Sequence, residues 1–123
     1  MKEGVKHDGG KLRYDLLPVD SLADVARVFT FGYLKYGPRN WELGMDWSRV
    51  YNACQRHLQQ FWAGEGTDVE SGLPHLAHAA VNCLMLLAFH QRGSGVDDRA
   101  PLEGKLETVL KNVGIDGSPE KAQ

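Results

Sequence analysis

The segment from Leu73 to Arg92 constrains the fold of this chain most, because it is apolar on nearly every side. A helix with apolar residues all round is buried among other helices. Three polar residues interrupt it, His75, His78 and Asn82, and their i, i+3, i+7 spacing places them on one narrow stripe. Burying them without partners costs about 1 to 3 kcal/mol each, so we expect them to face a ligand, water or hydrogen-bond partners. A structural network that bridges to the preceding helix remains the alternative.

Two further segments have the period of amphipathic helices. The first begins near Asp20 or Ser21 and ends at about Tyr36, and the second runs from about residue 47 to 63. The predicted apolar faces are Leu22, Val25, Ala26, Phe29, Tyr33 and Tyr36 on the first helix, and Trp47, Val50, Tyr51, Cys54, Leu58, Phe61 and Trp62 on the second. A short signal between residues 102 and 113 predicts a fourth helix. The sequence therefore predicts an all-α bundle of three main helices and a short C-terminal helix. The other helices cannot cover a third helix that is apolar on nearly every side. We therefore expect a homo-oligomer to complete the bundle.

Composition restricts the class of protein. A chain of 123 residues forms one domain, which we place at residues 1–93 with a basic N-terminal arm, followed by an extension at 94–123 whose last residues, 117–123, we expect to be disordered. The formal charge of −2 argues against a nonspecific DNA binder, so no stable nucleic-acid partner is expected. Without a signal pattern or an uninterrupted apolar span, we expect a cytoplasmic protein with no membrane partner.

A Gly-rich connector before the third helix carries Glu65, Asp68 and Glu70. A loop of carboxylates that faces histidines is typical of a metal or phosphate site, so we predict these three as metal ligands. His57 lies at the edge of the apolar face of the second helix, about two turns before Glu65. The predicted catalytic residues are His57, Glu65, Asp68, His75 and His78. Capping and the helix macrodipole are the alternative explanation for acidic residues at this position.

Cations and an aromatic residue lie in two other segments. The N-terminal arm contains Lys6, Lys11 and Arg13 around paired glycines, and the loop after the first helix contains Arg39, Asn40 and Trp41. A fork donor, an amide and a large aromatic plane suit a nucleobase and its phosphates. The predicted substrate-binding residues are Lys6, Lys11, Arg13, Tyr36, Arg39, Asn40, Trp41, Arg56 and Asn82. An unstructured arm and a Trp41 that closes the end of the core remain alternatives.

Four stretches resemble a known family: residues 10–18, GKLRYDLLP; residues 35–41, KYGPRNW; Arg56-His57; and residues 71–78, SGLPHLAH. The family is the dATP/dGTP diphosphohydrolases, found largely in bacteriophages and grouped with MazG-like nucleotide pyrophosphohydrolases. The resemblance implies a MazG-like all-α domain that cleaves dGTP or dATP to the monophosphate and pyrophosphate. It also implies Mg²⁺ or Mn²⁺ as the cofactor and the host cytoplasm as the location.

The chain departs from the MazG pattern of paired carboxylates on two helices, because it has no ExxE word and its residues 65–68, EGTD, fall in a predicted loop. A grouping of His57, Asp68, His75 and His78 would look more like an HD-type dNTP triphosphohydrolase. A third possibility is a nucleotide sponge, a protein that binds the nucleotide without hydrolysing it.

Overall fold

The computed structural model describes residues 3–113, and within this range it contains helices and no strand. The three long helices are α1, Val19–Tyr36; α2, Trp47–Trp62; and α3, His75–Arg92, followed by a short α4, Leu106–Asn112. Single 3-10 turns occupy Tyr14–Leu16 and Asn40–Leu43. The predicted all-α bundle is confirmed. None of the described helices has the length and apolarity to cross a membrane.

Helix α3 forms the centre of the bundle and packs against both α1 and α2. Its Ala77 and Val81 form the buried core with Val28 of α1. On its other side, the Cys54 thiol of α2 lies 3.6 Å from the carbonyl oxygen of Ala79. Small side chains at these positions let the helix backbones approach closely.

The apolar faces of α1 and α2 differ from the predicted ones in their outer members. Val28, absent from the predicted face of α1, is buried, whereas Tyr33 and Tyr36 are exposed. The last turns of α1 border an open cleft instead of α3, which explains why these two rings are not in the core. On α2, Val50 and Cys54 are buried, but Tyr51, Leu58, Phe61 and Trp62 remain exposed.

The N-terminal arm is exposed along residues 3–20. The apolar residues of the arm do not anchor it to the body, since Leu12, Tyr14, Leu16 and Leu17 are all exposed. Arg13 forms its ion pair inside the arm, with its Nη2 2.8 Å from a carboxylate oxygen of Asp15.

The segment after α3 folds back onto the start of α2. The indole N–H of Trp47 donates to the carbonyl oxygen of Ser94 at 2.9 Å, and its backbone N–H donates to Val96 at 2.9 Å. Gly95 is required here, because its φ is +72° and a Cβ would lie 2.6 Å from the carbonyl oxygen of Met45. Asp98 then accepts hydrogen bonds from the backbone N–H and the hydroxyl of Ser48. The helix is therefore capped by a residue fifty positions further along the chain.

We expect Asp98→Ala to lower the urea midpoint of unfolding, because it removes the acceptor for a free N–H in the first turn of α2. Asp97→Ala is the matched control, since Asp97 is a neighbouring carboxylate that pairs with Arg99 and does not contact Ser48. Urea denaturation of both variants measures the difference. Equal midpoints for the two variants would contradict a capping role for Asp98.

Residues 117–123, which we predicted to be disordered, lie outside the described residues. The predicted boundary at residue 93 stays a prediction.

Candidate metal centre and cleft

The connector between α2 and α3 is a tight loop that fixes Asp68. The backbone N–H of Asp68 donates to Leu73 at 2.9 Å, and the backbone N–H of His75 donates to Gly66 at 3.0 Å, so the two arms of the loop are paired. The Asp68 carboxylate accepts hydrogen bonds from the backbone N–H of Ser71 at 2.9 Å and from its hydroxyl at 2.8 Å. These contacts hold the carboxylate beside the first turn of α3.

Three histidines of α2 and α3 meet this carboxylate. The Nδ1 atoms of His57 and His75 lie 2.8 Å apart, and His75 is fully buried. The ring of His57 stacks on the ring of His78, with centroids 4.5 Å apart and planes 9° from parallel. His78 in turn lies with its Nε2 3.7 Å from Asp68. Four residues predicted as catalytic, including Asp68, are therefore brought together.

Ser71 connects Asp68 to His78. Its hydroxyl oxygen lies 2.6 Å from Nε2 of His78 and accepts a hydrogen bond from the backbone N–H of Leu73 at 3.2 Å. A hydroxyl has one proton to donate, and Asp68, an acceptor only, takes it. His78 must then donate its Nε2 proton to Ser71. This arrangement assigns the Nε2–H tautomer to His78 and leaves its Nδ1 as the basic atom.

The environment keeps His57 and His78 neutral and the Asp68 carboxylate ionised. Burial lowers the pKa of His57, and the nearby His78 lowers it further, against the opposing effect of Asp68. Burial likewise lowers the pKa of His78. For Asp68, burial acts to raise the pKa, but the two Ser71 hydrogen bonds and the histidines outweigh it, and the pKa lies below its ordinary value. At neutral pH the neutral imidazoles of His57 and His78 therefore lie beside a negative Asp68 carboxylate, which is the state that binds cations.

His57, Asp68 and His75 have the geometry of a metal-binding group. One ligand atom from each lies within 4.8 Å of the others. Neighbouring ligands of an octahedral ion with bonds of about 2.1 Å lie about 3 Å apart, close to the 2.8 Å between the two Nδ1 atoms. The Nε2 atom of His75 is buried without a hydrogen-bond partner, and a carboxylate oxygen of Glu65 lies 3.5 Å from it. A histidine that binds a metal through one nitrogen commonly donates the other N–H to a carboxylate, so Glu65 fits this supporting position.

This group differs from the three carboxylates predicted as metal ligands. Asp68 belongs to both sets, but Glu65 faces the far nitrogen of His75, and Glu70 pairs with Lys35, whose Nζ lies 2.6 Å from its carboxylate. The paired arms of the loop turn Asp68 toward the histidines, while Glu70, two residues later, faces α1. The three carboxylates therefore do not converge on one point. Their closeness in sequence could not reveal this, because each faces a different partner.

A cleft of about 990 Å³ lies between α1, the connector at residues 37–45 and α3, and reaches the histidine group at one end. This volume is at the upper end of the range for ligand pockets, about 300 to 1,000 Å³. Four predicted substrate-binding residues line it, Tyr36, Arg39, Asn40 and Trp41. Lining residues that the sequence reading missed include Phe31, Lys35 and Arg49. No local pattern in the sequence indicates that Lys35 meets the 63–74 loop.

A second cavity, of about 720 Å³, lies along the polar side of α2. Arg56, another predicted substrate-binding residue, lines it together with the amides Asn52, Gln55, Gln59 and Gln60. Three residues, His57, Asp68 and Glu70, line both cavities. The histidine group is thus accessible from two sides.

The remaining predicted binding residues are not brought to the cleft. Within residues 3–113, the arm side chains Lys6, Lys11 and Arg13 do not line it. The amide nitrogen of Asn82 donates to the carbonyl oxygen of His78 at 3.0 Å, so this side chain turns back onto its own helix. The three residues of the stripe predicted on α3 therefore have different surroundings. His75 and His78 lie beside Asp68, whereas the Asn82 amide forms its hydrogen bond within α3.

Trp41 has a packing role in addition to its position at the cleft. Its ring lies 5.9 Å from the ring of Phe29 and 5.9 Å from that of the fully buried Phe89, and the guanidinium of Arg92 covers it at 5.9 Å. These contacts support the alternative in which Trp41 closes the end of the core.

We expect Trp41→Ala to lower the free energy of unfolding by about 3 kcal/mol, because it leaves a cavity between Phe29 and Phe89. The control is Trp62→Ala, since Trp62 is 87% exposed and its loss should change stability by less than about 0.5 kcal/mol. Thermal or urea denaturation of both variants gives the comparison. A Trp41 variant as stable as the Trp62 variant, with weaker nucleoside binding, would instead assign Trp41 to base stacking alone.

The fold and this group of residues define a small all-α protein with a mixed histidine and carboxylate site beside an aromatic cleft. Residues 1–99 match the family described as dATP/dGTP diphosphohydrolase, N-terminal, and the chain belongs to this family. A protein of Salmonella phage PMBT28 named dATP/dGTP diphosphohydrolase is 34% identical over 96 residues, which are 78% of this chain and 33% of that protein. The chain thus spans about a third of the length of this curated relative. No solved structure matches. The family resemblance noted in the sequence is confirmed.

Proposed function

We propose that this chain hydrolyses a purine deoxynucleoside triphosphate, dGTP or dATP, to the monophosphate and pyrophosphate. The observation that carries the proposal is that His57, Asp68 and His75 have the geometry of a metal-binding group, and that His57 and Asp68 line a cleft of nucleotide size. The name of the Salmonella phage relative supports hydrolysis of a purine dNTP as the reaction class. We place the reaction in the cytoplasm of the host cell, where DNA is synthesised.

The residues His57, Asp68 and His75 would hold a divalent cation. The ion would supply charge neutralisation and Lewis acidity at the phosphate oxygens. Of the two ions that the resemblance implies, Mn²⁺ fits this set better than Mg²⁺, because Mg²⁺ prefers oxygen ligands and two of the three ligands here are imidazole nitrogens.

The side chains of the cleft divide between the two ends of a nucleotide. Lys35, Arg39 and Arg49 are the cations that would bind phosphate oxygens. Aromatic rings of α1, including Phe31, Tyr33 and Tyr36, offer apolar surface for the base and sugar. Neutral His78, whose Nε2 proton is held by Ser71, has Nδ1 available to accept a proton from the attacking water.

Two alternatives remain, and each is tied to an observation. The mixed histidine and carboxylate group favours an HD-type triphosphohydrolase more than paired helical carboxylates would, and that reaction releases the deoxynucleoside and inorganic triphosphate. A nucleotide sponge needs only the cations and rings of the cleft. Three carboxylates in the adjoining loop disfavour it, because without a cation they repel phosphates.

The test is incubation with the four dNTPs and with Mg²⁺ or Mn²⁺, followed by separation of products by ion-exchange chromatography. We expect dGTP or dATP to give equal amounts of monophosphate and pyrophosphate, faster with Mn²⁺ than with Mg²⁺ and not at all in EDTA. Deoxynucleoside with inorganic triphosphate would support the HD-type reaction. Tight binding with no product from any dNTP would support the sponge.

We further propose that the protein works as a homo-oligomer. Nine side chains in residues 3–113 are buried, and large apolar side chains remain exposed on both α2 and α3. They are Tyr51, Leu58, Phe61 and Trp62 on α2, and Leu76, Leu84 and Leu87 on α3. A second copy of the chain would cover such surface. Light scattering at micromolar concentration tests this, and a monodisperse monomer would contradict it.

A further inference from the structure

An ion pair crosses from α1 to the loop that holds Asp68. The Lys35 ammonium lies 2.6 Å from the Glu70 carboxylate, and both residues line the cleft. Within residues 3–113 it is the one ion pair shorter than 3 Å that joins residues more than three positions apart. The rings of Tyr36 and Phe31, with centroids 5.3 and 5.9 Å from the ammonium, hold it at this position by cation–π attraction.

The pair contributes little to the stability of the fold, because its side chains are 42% and 63% exposed and water screens their attraction. Its position has a larger consequence for anion binding. The Glu70 carboxylate already pairs with the Lys35 ammonium inside the cleft, so a phosphate oxygen that binds Lys35 must displace it. A triphosphate carries more charge and more acceptor oxygens than a carboxylate, so it competes well for the same ammonium.

On the basis of the proposed function, we propose that Glu70 is a stand-in for the substrate phosphate and that Lys35 exchanges Glu70 for a phosphate oxygen when the nucleotide binds. Lys35 then acts with Arg39 and Arg49 to select phosphorylated ligands, and Glu70 limits their affinity. The exchange leaves Asp68 in place, because Asp68 is held by Ser71 and not by Glu70. The released Glu70 side chain can turn toward the second cavity, which it already lines.

Lys35→Gln and Glu70→Gln break the same ion pair, and the exchange predicts opposite effects on binding. Lys35→Gln should weaken dGTP binding about tenfold or more, because a charge-assisted contact is lost. Glu70→Gln should strengthen it about fivefold, because the phosphate no longer has to displace a carboxylate from Lys35. Neither change should affect deoxyguanosine, which has no phosphate. Calorimetry in EDTA measures binding without metal-dependent turnover, and the gain of Glu70→Gln should vanish in 1 M salt.

Arg27→Gln and Asp24→Asn are the matched controls, because they remove an equally short ion pair on α1 that does not line the cleft. Both should bind dGTP as the parent does. If Lys35→Gln and Glu70→Gln shift dGTP affinity in the same direction, or shift deoxyguanosine equally, the pair is structural and the exchange is wrong, while the proposed function stands. If the parent binds neither dGTP nor inorganic triphosphate even with Mn²⁺ present, the proposed function and the exchange both fail.

Discussion

Asp68→Asn is expected to lower metal-dependent hydrolysis of the purine dNTP at least a hundredfold. The amide keeps the shape of the carboxylate but loses the charge that binds the cation. Removal of an outer partner of a metal ligand costs about 10- to 100-fold, so loss of a ligand should cost more. The amide oxygen can still accept both hydrogen bonds that Ser71 donates, since both go to one carboxylate oxygen, Oδ2, so the loop contacts should survive the change. Steady-state hydrolysis with Mn²⁺, with the far-UV circular dichroism spectrum as the check of folding, measures the effect.

Asp24→Asn is the control for this variant, because it changes a carboxylate of α1 whose pairing is with Arg27. It should hydrolyse the substrate as the parent does. The hydrolysis rate of Glu65→Gln should lie between those of these two variants, about 10- to 100-fold below the parent. Glu65 is placed to support His75 and not to bind the ion. Hydrolysis by Asp68→Asn within a few-fold of the parent would remove Asp68 from the ligand set.

The addition of Mn²⁺ at a hundred times its dissociation constant is expected to raise the free energy of unfolding by about 2.7 kcal/mol. For a domain of this size the midpoint of thermal unfolding should rise by roughly 10 °C. His75→Gln should abolish the rise, because it removes the buried imidazole, and EDTA should abolish it in the parent. Differential scanning calorimetry with and without Mn²⁺ provides the measurement.

His90→Gln is the matched control, because His90 is an exposed histidine on the same helix and lies outside the metal-binding group. The His90→Gln variant should keep the full Mn²⁺-dependent rise in the midpoint of thermal unfolding. The His75 ring is fully buried, so His75→Gln could fold poorly. His57→Gln gives a second test, because His57 is a half-buried ligand. A Mn²⁺-dependent rise that persists in both ligand variants would contradict the assignment.

The helices were predictable because their signals are local. The period of apolar residues, Gly37-Pro38 after α1 and Pro74 before α3 predicted the three long helices to within two residues of their observed bounds. Which residues of a helix face the core depends on how far its neighbour extends. This explains why Tyr33 and Tyr36 fit the period of α1 but border the cleft.

The candidate site could be predicted in its histidines and in Asp68, since polar residues on an apolar helix and carboxylates in the preceding loop are visible in the sequence. What could not be predicted are contacts between distant segments. The pairing of Lys35 with Glu70 and the capping of α2 by Asp98 join residues 35 and 50 positions apart, and no local pattern marks either. Trp41 illustrates a third case, because an aromatic residue in a loop suits both a ligand and a core, and only its neighbours decide.

The central claim is that His57, Asp68 and His75 hold the catalytic ion. Anomalous diffraction from crystals grown with Mn²⁺ tests it most directly, because the signal locates the metal independently of the protein atoms. We predict a peak about 2.1 to 2.3 Å from one ligand atom of each of the three residues, and no such peak in crystals of Asp68→Asn. A peak bound instead by Glu65 and Glu70, or no peak near the histidines at saturating Mn²⁺, would contradict the assignment.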